Sequence, residues 1–195
     1  MFMTERLEDR TLASGDAEAG FTLIELLVVL LVIGILLAIA IPTFLSTTNT
    51  ANNISAQADL KTALTGADTY YTTTGLQSYA YLDSSSAGTS GISSVGTGLT
   101  YVSGNSVRAS SSGPHVVSVY VAGGGSAVVF TSLAHSSLDC WGILDVKTTL
   151  ASPLDNEQAI GTYFFVVKNS SSSTCIAQTV APSLANTSAS AFPKP

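Results

Sequence analysis

The chain has 195 residues and a formal net charge of −6, and only 10% of its residues are charged. An acidic chain with seven Lys and Arg has no electrostatic footprint for nucleic acid, and the length fits one globular domain plus an appendage. Two cysteines exclude a four-cysteine zinc site, and His115 and His135 lie at no ligand-like spacing from them.

Residues 1–20 are polar and rich in small side chains. They hold Arg6 and Arg10 with five acids (Glu5, Glu8, Asp9, Asp16, Glu18), half of the net charge of −6. They are expected to be unstructured and to lie in the cytoplasm. Residues 21–46 follow as a hydrophobic segment, with 16 consecutive apolar residues from Leu26 to Ile41. At about 1.5 Å per residue, a helix over Phe21–Ile41 is about 30 Å long, enough to cross a hydrocarbon core. Arg6 and Arg10 precede this segment and no basic residue follows it before Lys61, so the C-terminal part should face outward. Glu25 sits just inside the run. An ionisable group there is costly in lipid and calls for a partner. The apolar residues offer none, so the partner is expected on another chain.

Residues 47–72 read as an amphipathic helix. Ala56, Leu60, Ala63, Leu64, Ala67 and Tyr71 share one face, with Lys61, Thr65 and Asp68 opposite. Pro42 removes one amide hydrogen bond and would kink or loosen the helix without ending it, and Gly34 adds a second weak point. Residues 73–98 are a Ser/Thr/Gly-rich connector, with a short strand or helical turn near Tyr79–Leu82. Strands are expected over 99–103 and 106–110 as a hairpin through Gly104-Asn105. A second pair, 115–121 and 126–133, flanks Gly123–Gly125, where glycine takes positive φ freely. Further strands are expected over 140–147 and 160–168, with 175–180 as an edge strand. Short connections favour an antiparallel sheet with one face on the helix stripe, so 99–180 are expected to form an antiparallel β head and the helix and head together an α+β fold. Residues 181–195 hold three prolines and read as a frayed tail.

The stretch Gly-Phe-Thr-Leu-Ile-Glu (20–25), followed by some twenty apolar residues that include Gly34 and Pro42, resembles the class III signal of type IV pilins and pseudopilins. The resemblance covers about 26 residues. It implies cleavage after Gly20 by a prepilin peptidase, N-methylation of Phe21, and pairing of Glu25 with the Phe21 ammonium of a neighbouring subunit. It also implies a long N-terminal helix on a β head, and loss of helicity around Gly34 and Pro42 on assembly. The partners it implies are other pilin subunits in a homopolymer, the peptidase/methyltransferase, and an inner-membrane assembly platform with its ATPase. The subunit would begin as a single-pass membrane protein and end in a surface pilus or a periplasmic or cell-wall pseudopilus. The net acidic leader departs from the usual short basic one.

No catalytic constellation stands out: there is no G-x-S-x-G elbow, H-E-x-x-H or G-x-x-x-x-G-K. The chain reads as a non-enzyme without cofactor or metal. Asp145, Asp155, Asn156 and Glu157 could gather around calcium, but their order is not that of an EF-hand and reads as an acidic turn. In an exported chain Cys140 and Cys175 read as one disulfide, against two free thiols in a cytosolic one. Trp141 is expected to be a core aromatic packed on that disulfide. Asn53, Asn169 and Asn186 open formal glycosylation sequons, frequent by chance in a chain rich in Ser and Thr. The structural subunit of a filament serving adhesion, motility or DNA uptake competes with a pseudopilin of a type II secretion or competence system. A soluble secreted binding protein or enzyme, cut after Ala40 in Ala38-Ile39-Ala40, is the third reading.

Overall fold

The computed structural model describes residues 20–73, 77–82, 91–104, 113–148, 159–171, 174–180 and 191–193. The chain divides into two compact units, Met1–Thr43 and Phe44–Pro195. The long helix α1, Leu23–Thr73, is 51 residues and passes through Pro42. Its threonines tie back to their own helix: Thr48, Thr50, Thr62, Thr65 and Thr69 each donate to the carbonyl four residues earlier. Thr43, next to Pro42, donates to Ala40 at 2.8 Å.

Within the second unit, five strands form one sheet in the order β1 (Thr100–Ser103), β2 (Val116–Ala122), β3 (Ala127–Ala134), β4 (Asp139–Val146) and β5 (Gly161–Val167). β2 to β5 are antiparallel to their neighbours, whereas β1 runs parallel to β2 with Thr100 opposite Val116. This corrects the expected hairpin out of 99–103: a parallel return needs about a dozen connecting residues, not a tight turn at Gly104-Asn105. The expected strand 106–110 lies outside the described residues. Gly104 instead donates its amide to the Val119 carbonyl. The expected β2–β3 hairpin is present, with Gly123, Gly124 and Gly125 at φ of 59°, 66° and 105°.

Alternation along the strands makes two cores. The face toward α1 holds Val117, Val119, Val128, Phe130, Trp141 and Ile143 against Ala56, Leu60, Ala63, Ala67 and Tyr70. The α1 stripe therefore differs from expectation. Leu64 and Tyr71 are only partly buried, while Asn53, Asp59, Gly66 and Tyr70 are buried. A side chain at Gly66 would run into Thr97, so the missing Cβ lets the connector lie against the helix. The connector also carries a 3-10 turn, Ile92–Val95, and a tighter turn in which Leu82 donates to the Tyr79 carbonyl at 2.9 Å.

The opposite face holds Ala127, Val129, Leu133, Leu144 and Phe165, covered by Cys175, Ala177 and Val180. Here the expected edge strand 175–180 is replaced by a single helical turn, α2 (Ala177–Val180). Cys140 points to this face, so its bridge to Cys175, with Cα atoms 5.5 Å apart, holds the segment over the sheet and away from its edge. The Ala177 amide then donates to the Ser118 hydroxyl at 3.2 Å.

The same alternation corrects the expectation for Trp141. It is buried, but on the α1 face, because adjacent strand residues point oppositely. Its partners are Asn53 and Phe192, the latter edge-on at a centroid distance of 5.6 Å. Phe192 also meets Phe164 at 4.8 Å, so the tail is docked at this point and is not frayed throughout.

Candidate functional site

The first turn of α1 is set by Thr22 and Glu25. The Glu25 amide donates to Thr22 Oγ1 at 3.3 Å, and Glu25 Oε2 accepts from the Thr22 amide at 3.0 Å and its hydroxyl at 2.9 Å. This is a capping box: the helix N-terminus leaves amides without intrahelical partners, and the Thr-x-x-Glu pattern satisfies two of them reciprocally. The expectation that the chain itself offers Glu25 no partner is thereby corrected. The pattern Thr22-x-x-Glu25 was the signal that could have shown it. Both side-chain bonds fall on Oε2, and Oε1 takes none among the described residues.

Beyond the cap, the segment is bare. Every residue from Gly20 to Ser46 is exposed, with Phe21 at 82% and Leu23 at 81%. α1 is long and apolar enough to cross a membrane, and none of its most apolar window is buried inside the protein. Neither Gly20 nor Gly34 has any atom within 4 Å of where a Cβ would stand. Packing within the chain therefore explains neither glycine, although Gly34 costs the helix about 1 kcal/mol relative to alanine. Pro42 lies within α1, one residue before the division between the two units.

Among its described residues the head contains no comparable site. Asp145, considered for calcium, is 2% exposed, and it accepts from the Tyr79 hydroxyl, from Thr162 Oγ1 at 2.7 Å and from Lys147 Nζ at 3.0 Å. Its oxygens are committed to these donors, while residues 155–157 lie outside the described residues. Lys147 also binds Asp68 at 2.8 Å, so Asp68 flanks the head and does not face away from it. Burial works against the Lys147 ammonium, but Asp68 and Asp145 outweigh it and hold its pKa above the usual lysine value. Burial, then the hydrogen bond to and charge of Asp145, push the Tyr79 phenol far above its ordinary range.

His115 is exposed and places Nδ1 2.9 Å from Asp59 Oδ1. His135 is exposed in the β3–β4 turn. Asn53 of the first sequon is 7% exposed, and its Oδ1 accepts from Trp141 Nε1 at 2.9 Å and Ser137 Oγ at 2.8 Å, so a glycan there would displace core contacts. Asn169 is exposed in a turn at φ 54°, and Asn186 lies outside the described residues. The disulfide joins Cys140 to Cys175.

The prokaryotic N-terminal methylation motif matches residues 16–41, the class III signal-peptide segment of type IV pilins. Neither a curated protein sequence nor a solved structure matches the chain significantly. With that motif, the long apolar helix and the five-stranded, mostly antiparallel sheet make a pilin-like α+β architecture. The chain has the features of a membrane-anchored precursor of a type IV pilin or pseudopilin-type subunit.

Proposed function

We propose that the chain is a prepilin, a structural subunit that is cut between Gly20 and Phe21, methylated on the Phe21 amine and polymerised through α1. The observation that carries this reading is the methylation motif over 16–41, leading into a helix whose apolar residues from Leu23 to Leu45 are all exposed among the described residues. An apolar surface of this extent is stable only against lipid or other protein. In the monomer lipid covers it, and in the filament identical helices replace the lipid. The subunit works by assembling, without a reaction of its own. Gly34 has no packing role inside the chain, and a glycine there lets another helix approach closely.

Glu25 links the two states. Thr22 satisfies its Oε2 while the subunit stands alone. Cleavage creates a cation at Phe21, and the carboxylate of one subunit then takes the ammonium of the next, fixing their register. In this reading Gly34 and Pro42 are where α1 can open when neighbours pack. The machinery required is a prepilin peptidase/methyltransferase, an assembly platform and its ATPase.

Mass spectrometry of the mature N-terminus tests the processing. The expected terminus is Phe21 carrying one methyl group, and a terminus at Ile41 overturns the reading in favour of a secreted soluble protein. Glu25→Ala should still be cut and held in the membrane, yet fail to enter filaments when microscopy and shear fractions are compared with the parent. Normal filaments from that variant overturn the role given to Glu25.

A further inference from the structure

The end of the chain returns to the sheet on the face opposite to the one it leaves. Val180, the last residue of α2, covers the disulfide face, whereas Phe192 packs on the α1 face. Phe192 is the apolar anchor of the tail there. Its ring lies edge-on to Trp141 and Phe164, at 5.6 Å and 4.8 Å between centroids, and Lys61 Nζ stands 6.0 Å from its centroid. Aromatic pairs at these distances attract beyond the area they bury, and the ammonium adds a cation–π contact.

The seat is built without help from the tail. Trp141 is held on β4, and its Nε1 donates to Asn53 Oδ1, which Ser137 Oγ also reaches. Phe164 is carried by β5, paired opposite Ile143 of β4. A seat fixed by its own hydrogen bonds and strand pairing is preorganised, so an arriving side chain does not have to order it. The ring that fills it is only partly buried, so it can leave without the core being opened. Pro193 follows it and brings no amide in need of a partner.

From this geometry we propose that the seat formed by Trp141, Phe164 and Lys61 is a docking site for the tail of a second copy, so that neighbouring subunits exchange their Phe192 side chains. The proposal rests on the reading that the chain polymerises. Each copy carries the segment that the seat fits, and exchange makes between chains the contacts already made within one. Reach permits it: residues 181–191 extend to at most about 40 Å, and a head of about 150 residues is about 40 Å across. Concentration selects between the two arrangements. A short tether keeps a chain's own tail at about millimolar effective concentration, so dilute subunits hold their own. In a filament the neighbouring tails stand at comparable concentration and compete for the seat. Exchange then adds a link between heads to the contacts of α1.

Trp141 is the single tryptophan, so its emission reports the seat. In the full chain in detergent micelles, Phe192→Ala should shift that emission to longer wavelength and raise its quenching by acrylamide several-fold. A peptide of residues 186–195 should reverse both changes, half-maximally at about 1 mM, the range for one seated aromatic side chain. The same peptide carrying Phe192→Ala should not. No reversal in a variant whose circular dichroism matches that of the parent overturns the proposal. The second arm keeps Phe192 in place and stands even where that variant does not fold. Both native cysteines are bridged, so Lys61→Cys with Ala191→Cys adds two free thiols, beside the seat and beside the anchor, for a short bismaleimide to join. Filaments of this double variant should give a ladder of covalently joined chains. Filaments that give only chains closed on themselves overturn the exchange. A parent chain that forms no filaments overturns the polymerisation reading instead, and the peptide titration still tests the seat.

Discussion

Asp145 shows how single residues set the stability of this head. It is buried on β4, where Tyr79, Thr162 and Lys147 all reach it. Tyr79→Phe removes one donor from a buried carboxylate and should cost about 1–3 kcal/mol in a urea unfolding experiment at neutral pH. The same cluster predicts an alkaline weakness. The Tyr79 pKa is raised in the folded state, so above about pH 10 the unfolded chain has shed a proton that the folded chain keeps, and stability falls as pH rises. Lys147 is raised too, so its contribution is full below the ordinary lysine value and is lost as pH climbs through the folded one. Stability measured from pH 8 to 11 should therefore decline from about pH 10, and the decline should be shallower in Tyr79→Phe. An equal slope in both proteins overturns this account. Gly142 gives a second residue-level prediction: a Cβ there would stand inside the Phe165 ring, which lies over the glycine from the paired position on β5. Gly142→Ala should cost about 1–3 kcal/mol through this overlap, measured by the same unfolding.

At the scale of elements, local pattern and long-range constraint divide the work. α1, β2, β3, β4 and β5 were legible because each carries its own periodicity or turn chemistry, as in Gly123–Gly125 between β2 and β3. β1 was misread because Gly104-Asn105 looks like a hairpin turn, whereas its pairing is decided by a return over residues 104–115. The polar residues by which α1 is bonded to the sheet were not legible at all. Asn53 and Asp68 look like solvent positions until Trp141 and Lys147, some eighty residues later, arrive beside them. The Thr22–Glu25 box was legible by its spacing, but attention to an intermolecular partner for Glu25 hid the local one. The 175–180 segment has a strand-like composition, yet the bond to Cys140 places it over the sheet and α2 forms instead. That bond closes a loop with a sequence separation of 35. Replacing both cysteines by serine should lower stability by about 4 kcal/mol in the chain-entropy account, with Ala177 and Val180 losing their cover of Val129 and Leu144 first. Hydrogen exchange should then rise in 175–180 before it rises in β3 and β4. Uniform exchange across the head overturns that order.

For the molecule as a whole, one helix serves two solvents. Its first half has no buried residue, and its buried residues all lie from Asn53 onward. The core around Leu60 and Trp141 is therefore complete without any residue of the apolar segment. A domain of about 150 residues has enough interior to fold by itself, and this one adds a disulfide. A chain beginning at residue 47 is expected to be monomeric and soluble, with a thermal midpoint within about 5 °C of the full chain in detergent micelles. The comparison should be made by circular dichroism, in the same detergent below and above its micelle concentration, so that solvent effects on the head are separated from loss of the segment. A truncated chain that is unfolded, or that melts far below the full one, would mean that residues 21–46 stabilise the head, contrary to their complete exposure. Equal midpoints assign the folding of the head to the residues beyond 46 and leave the apolar segment no part in it.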